Sequence, residues 1–146
     1  MERVLIIAGS ESDGKIAQKA EEVLKEFGVE FRTEVASAHR APERVEKLVL
    51  ATGADVVIAV AGLSAALPGV IASKTTKPVI GVPVDVKLGG LDALLSMMQM
   101  PSGIPVATVG IDNAKNAALL AISILALKDG ALAEKLKGYR QKMKTG

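Results

Sequence analysis

The only histidine of the chain stands in Ser37-Ala38-His39-Arg40, directly after an extended-looking run, Val29-Glu30-Phe31-Arg32-Thr33-Glu34-Val35. An imidazole is the one side chain whose unperturbed pKa, about 6.5, puts its charge change near neutral pH. The arginine beside it adds a permanent cation. This strand end therefore offers a proton-transfer group next to an anion-binding group; the competing reading is a loop histidine with no role. Gly9-Ser10-Glu11-Ser12-Asp13 follows an earlier apolar run and opens a helical pattern. The free N–H groups and positive dipole end of a helix N-terminus suit a phosphate. Asp13 can accept hydrogen bonds from sugar hydroxyls, although Ser12 or Asp13 could equally serve only as a helix cap. No Gly-x-Gly-x-x-Gly and no Walker lysine occur, which disfavours a dinucleotide or a triphosphate.

These loops need elements to hold them. Apolar runs alternate with helical patterns along the chain. Strands are expected at Val4 to Ala8, Val29 to Val35, Asp55 to Ala61, Val79 to Val84 and Val106 to Val109. Helices are expected at Gly14 to Phe27, Pro42 to Thr52, Ala65 to Lys74, Leu91 to Met98, Asn113 to Leu127 and Ala131 to Lys144. Strand alternating with helix predicts a parallel sheet covered on both faces. Five such units predict an α/β, three-layer flavodoxin-like fold with strand order 2-1-3-4-5, one domain over residues 1–146 and an additional C-terminal helix. In that order the first strand lies between the second and third, and ligands bind beyond the carboxyl ends of the strands at the switch point. The loops after strands one, two and three should converge there, the third being Gly62-Leu63-Ser64-Ala65-Ala66-Leu67-Pro68-Gly69.

Composition narrows the function. Of 146 residues, 49% are hydrophobic but only 2% aromatic, so aliphatic side chains and alanine must fill the core. A net charge of +2 with scattered charges, and almost no aromatics to stack bases, argues against a nucleic-acid partner. No apolar run reaches the ~18 residues of a membrane span, and no signal peptide is apparent; the expectation is a cytoplasmic protein. Without cysteine and with one histidine, the usual zinc sites cannot form. The helix from Asn113 is apolar on every face, where a surface helix should show a polar stripe. That predicts burial against other subunits.

The motifs occur in order: Gly9-Ser10-x-Ser12-Asp13, Ser37-Ala38-His39-Arg40, Leu67-Pro68-Gly69, Gly81-Val82-Pro83-Val84, Gln99-Met100-Pro101-x-Gly103-Ile104-Pro105-Val106-Ala107-Thr108-Val109 and Asn116-Ala117-Ala118-Leu119-Leu120-Ala121. Together they resemble the PurE family of purine biosynthesis, the N5-carboxyaminoimidazole ribonucleotide mutases. The resemblance implies transfer of a carboxylate from N5 to C4 of aminoimidazole ribonucleotide, by decarboxylation in a closed pocket and recapture of CO2. It implies no metal and no organic cofactor, and an octamer with active sites at subunit interfaces. It makes His39 the general acid and base. Ser10, Asp13 and Arg40 then bind the nucleotide, Arg40 taking the phosphate, and Ser37 hydrogen-bonds nearby. Gly62, Ser64, Ala66 and Leu67 complete the candidate substrate-binding set. One position departs: the family typically carries a second histidine where this chain has Ala66. The alternatives are an impaired or non-catalytic nucleotide-binding paralogue, a class II enzyme using free CO2, and another carboxylation enzyme on the same fold.

Overall fold

The computed structural model describes residues 1–146. Five parallel strands form one sheet in the order β2-β1-β3-β4-β5. They are β1 (Val4–Ala8), β2 (Phe31–Val35), β3 (Val56–Ala61), β4 (Val79–Pro83) and β5 (Ala107–Thr108). The helices are α1 (Gly14–Glu26), α2 (Pro42–Ala51), α3 (Leu67–Ala72), α4 (Leu91–Met98), α5 (Ala114–Ala126) and α6 (Gly130–Thr145). This is the flavodoxin-like order expected from the alternation of strand and helix, with α6 as the additional C-terminal helix.

Every residue of β1, β3 and β4 is buried, as strands covered on both faces must be. Alternate side chains feed two cores. Val4, Ile6, Val56, Ile58, Val60, Ile80 and Val82 meet α1, α5 and α6 on one face. Leu5, Ile7, Val57, Ala59 and Val79 meet α2, α3 and α4 on the other. Small residues make this packing close: α1 and α5 meet through Ala17 and Ala20 of the first and Ala114, Ala117, Ala118 and Ala121 of the second, all essentially inaccessible. With hardly an aromatic side chain available, thin helix faces bring the backbones together and recover dispersion contacts.

The register sets the rim. Ala8 pairs with Val35 and with Val60, so β1, β2 and β3 end level with one another. Backbone bonds continue past the strands, from Gly9 N–H to the Val60 carbonyl at 2.9 Å and from Ala36 N–H to the Ala8 carbonyl at 2.9 Å. The loops that follow start from fixed, neighbouring points. No helix is long and apolar enough to cross a membrane.

The helix from Asn113 is only partly buried by this chain. Ala114, Ala117, Ala118, Ala121, Ile122 and Leu125 are covered, whereas Leu120 is 36% and Leu127 83% exposed. An open hollow of about 710 Å³ runs between α5 and α6, lined by Leu119, Leu120, Leu136, Tyr139 and Met143 among others. It lies on the far helical layer and carries no acid–base constellation.

Candidate active site

The loops after β1, β2 and β3 do converge. They enclose a cleft of about 410 Å³ beyond the carboxyl ends of the strands, at the switch in strand order. Ser10, Asp13, Ser37, His39, Arg40, Gly62, Ser64 and Leu67 all line it. Ala66 does not. It is half-buried at the boundary of α3, where its N–H donates to the Ser64 carbonyl at 2.7 Å and its carbonyl accepts from Val70 N–H at 3.0 Å. Its only side-chain group is a methyl.

The first loop enters α1 through a single tight turn, Glu11–Asp13. Neither Ser10 nor Asp13 caps a backbone N–H with its side chain. Instead Ser10 Oγ donates to Asp13 Oδ2 at 2.9 Å and lies 2.8 Å from Ser12 Oγ. Asp13 is only 6% exposed, and burial pushes its carboxyl above the usual carboxylate range, opposed by the hydrogen bonds from Ser10. A carboxylate so placed has one oxygen held by the protein and retains acceptor capacity toward the cleft. The role of helix cap, open on sequence grounds for Asp13, is not the one its side chain takes.

The second loop is a compact turn. Ala41 N–H donates to the Ser37 carbonyl at 2.9 Å, and Arg40 N–H to Ser37 Oγ at 3.1 Å. Ser37 therefore shapes the turn that presents His39 and Arg40, both exposed at the rim. Arg44, one turn into α2, is engaged elsewhere, bound to Glu34 at 2.9 Å and to the Val35 carbonyl at 3.1 Å. Arg40 has no carboxylate partner. It lines both the cleft and an adjoining hollow between the first two loops, so its guanidinium is available to an anion there.

The third loop holds Ser64 in the left-handed region, at φ 49°, a conformation that disfavours any residue with a Cβ. Strain of this kind concentrates at functional sites. Ser96 Oγ of α4 braces the same loop by donating to the Ala65 carbonyl at 3.2 Å.

Sequence reasoning missed Leu63 and Val86, which also line the cleft. Val86 comes from the loop after β4, and its only sequence signal was the position of that loop at the same rim. An isolated valine between Asp85 and Lys87 reads as nothing in particular.

The chain matches, over residues 3–146, the family described as AIR carboxylase. It belongs to that family. Among its relatives, the N5-carboxyaminoimidazole ribonucleotide mutase of Methanocaldococcus jannaschii is 69% identical over 97% of this chain and 90% of that protein. The protein of the same name from Thermotoga maritima is 51% identical, over 99% of this chain and 86% of that one. Among solved structures, Treponema denticola PurE superposes with a TM-score of 0.89 at 35% identity, covering 97% of this chain and 91% of that one. The resemblance drawn from six short blocks is thus a family membership that spans nearly the whole chain.

Proposed function

We propose that this protein is an N5-carboxyaminoimidazole ribonucleotide mutase, an isomerase of purine biosynthesis. The observation that carries the reading is one cleft that joins the chain's only imidazole, an unpaired arginine and a buried, serine-held carboxylate. High identity to relatives bearing that name supports it.

The residues divide the work by their chemistry. Arg40 takes the 5′-phosphate through charge-assisted hydrogen bonds, and Asp13, oriented by Ser10, accepts from the ribose hydroxyls. The imidazole ring then lies toward His39 and the third loop. The N5–carboxylate bond breaks, CO2 departs and N5 takes a proton from His39. The ring carbon C4 attacks the CO2, and its proton returns to His39, which ends in its starting state. Each step moves one proton, so one imidazole that gives a proton and takes it back serves both. Positioning supplies the rest, because CO2 held beside C4 reacts as an intramolecular partner.

The same reading makes the protein a homo-oligomer, an octamer, with the incompletely covered faces of α5 and α6 meeting other subunits. Retention of His39, Ser10, Asp13 and Arg40 in one cleft favours activity over a non-catalytic paralogue.

The test uses purified protein and N5-carboxyaminoimidazole ribonucleotide, with appearance of the C4-carboxylated product followed spectroscopically. Turnover is expected for the parent. His39→Asn should lower it by ~10²–10⁴-fold while nucleotide binding, measured by calorimetry, largely survives. Product formed only from aminoimidazole ribonucleotide and dissolved CO2 would instead assign carboxylation with free CO2. No product from either substrate would leave a binding protein.

A further inference from the structure

The cleft has two unlike halves. The loops after β1 and β2 supply its carboxylate, its cation and three of its four serines, Ser64 of the third loop being the fourth. The loops after β3 and β4 supply Leu63, Leu67 and Val86. Two of these are large apolar side chains where solvent is expected: Leu63 is 68% and Val86 47% exposed. Isolated exposed apolar residues need no explanation, but two on the wall of one cleft, on separate loops, form a surface.

That surface is held in place. Val84 N–H donates to the Ala61 carbonyl at 3.0 Å, and Asp85 N–H to Asp112 Oδ1 at 3.0 Å, which anchors the two residues that lead into Val86. Asp112 is itself in the left-handed region, at φ 61°, with its N–H on the Pro83 carbonyl at 2.8 Å. Val86 leans directly on Gly62: a Cβ built on Gly62 would lie 2.5 Å from Val86 Cγ2. Glycine at 62 is what allows the valine to close onto the third loop. Leu63 follows at once, and Ser64, strained into the left-handed region, turns the chain after it.

Given the mutase reading, on which this rests, we infer that Val86 and Leu63 form an apolar guard that keeps the released CO2 in the cleft until C4 captures it. CO2 is uncharged, donates no hydrogen bond and accepts one only weakly, so the polar groups of the cleft give it little hold against escape. Retention depends on excluding water from its surroundings, and apolar walls do this because small apolar spaces stay dry. The polar half binds the nucleotide; the apolar half decides whether cleavage of the N5–carboxylate bond ends in transfer or in loss. In the loss branch the N5–C bond breaks, N5 keeps the proton from His39, and CO2 leaves for solvent. The products are then aminoimidazole ribonucleotide and CO2.

The readout is the partition ratio: aminoimidazole ribonucleotide released per C4-carboxylated product formed, measured by chromatography after subtraction of a blank without enzyme. A ratio within one sample is independent of how much protein is folded. Val86→Thr keeps the branched shape and replaces one methyl with a hydroxyl; Leu63→Asn keeps the forked shape on the other loop and replaces its two methyls with an amide. Each should raise the ratio about fivefold or more, as a solvated group replaces an apolar contact, while total substrate consumption changes less than the ratio. An unchanged ratio in both variants, with the parent active, overturns the guard alone. A parent that does not form the C4-carboxylated product overturns the mutase reading, and the guard with it.

Discussion

At the scale of single residues, Asp13 and Ala66 are the informative positions. Burial raises the pKa of Asp13 above its ordinary value. The folded protein therefore binds that proton more tightly than the unfolded chain does. The linked stability is fully present below the unfolded pKa and is lost as pH rises through the folded value. At neutral pH the buried charge opposes folding, and Asp13→Asn should raise the thermal midpoint, with each kcal/mol released worth roughly 2–4 °C. That advantage should shrink as the pH falls into the carboxylate range. Scanning calorimetry at neutral and acid pH checks the sign, and the same variant should bind nucleotide more weakly because Asn offers a neutral acceptor to the ribose. Ala66 calls for a different measurement. It stands between the cleft residues Ser64 and Leu67 but presents only a methyl group. An imidazole at that position extends further and can orient the carboxylate or carry a proton. Ala66→His should then raise kcat more than it changes KM, the pattern of a group acting in the transition state. Equal kcat values would show that the chain already has what this step needs.

At the scale of elements, α4 depends on a left-handed entry. Leu88, Gly89 and Gly90 have φ of 52°, 64° and 81° in succession, a turn that leads from the Val86 loop into the helix. A Cβ on Gly90 would lie 2.7 Å from Ile111 Cγ2 and 3.2 Å from Asp85 Cα, and it would also meet the penalty of positive φ. Gly90→Ala should destabilise the fold by about 1–3 kcal/mol, read as a lower urea midpoint with an unchanged slope. This turn was not legible in the sequence, since leucine in the left-handed region has no compositional signal. The strands were legible for the opposite reason. Runs such as Val56 to Ala61 are apolar throughout because both faces are covered, and only their ends differ from expectation by a residue or two. Residues Val29 and Asp55 fall outside the strands because loop bonds take over there, as when Asp55 N–H reaches the Arg3 carbonyl at 2.9 Å. α3 is shorter than its pattern suggests. Leu67, with Pro68 behind it, opens the helix, and bonds from Ser73 N–H to the Gly69 carbonyl and from Lys74 N–H to the Ile71 carbonyl close it. The site followed the same division. Charged and hydroxyl residues at strand ends announced the polar half, while Leu63 and Val86 became meaningful only when two distant loops were seen on one wall.

At the scale of the whole molecule, the apolar excess of α5 is half explained. One side of the helix closes the core against α1 and the sheet. The other leaves Leu119, Leu120 and Ser123 facing Leu136, Tyr139 and Met143 of α6 across an open hollow. No other element of residues 1–146 covers that hollow, and a second copy of the chain supplies a matching apolar surface. If the octamer forms through this face, light scattering at micromolar concentration should give about eight times the chain mass of 15.1 kDa. Leu120→Glu places a charge where the helix is 36% exposed, a position the monomer tolerates but a dry interface does not. The variant should therefore keep its far-ultraviolet circular dichroism while its mass falls to a smaller species. Turnover should fall with the mass if the cleft needs neighbouring subunits to complete it, and should persist in the smaller species if this chain alone encloses the reacting atoms. A parent that scatters as a monomer would remove the subunit contact altogether, and the hollow between α5 and α6 would then be an ordinary solvated groove.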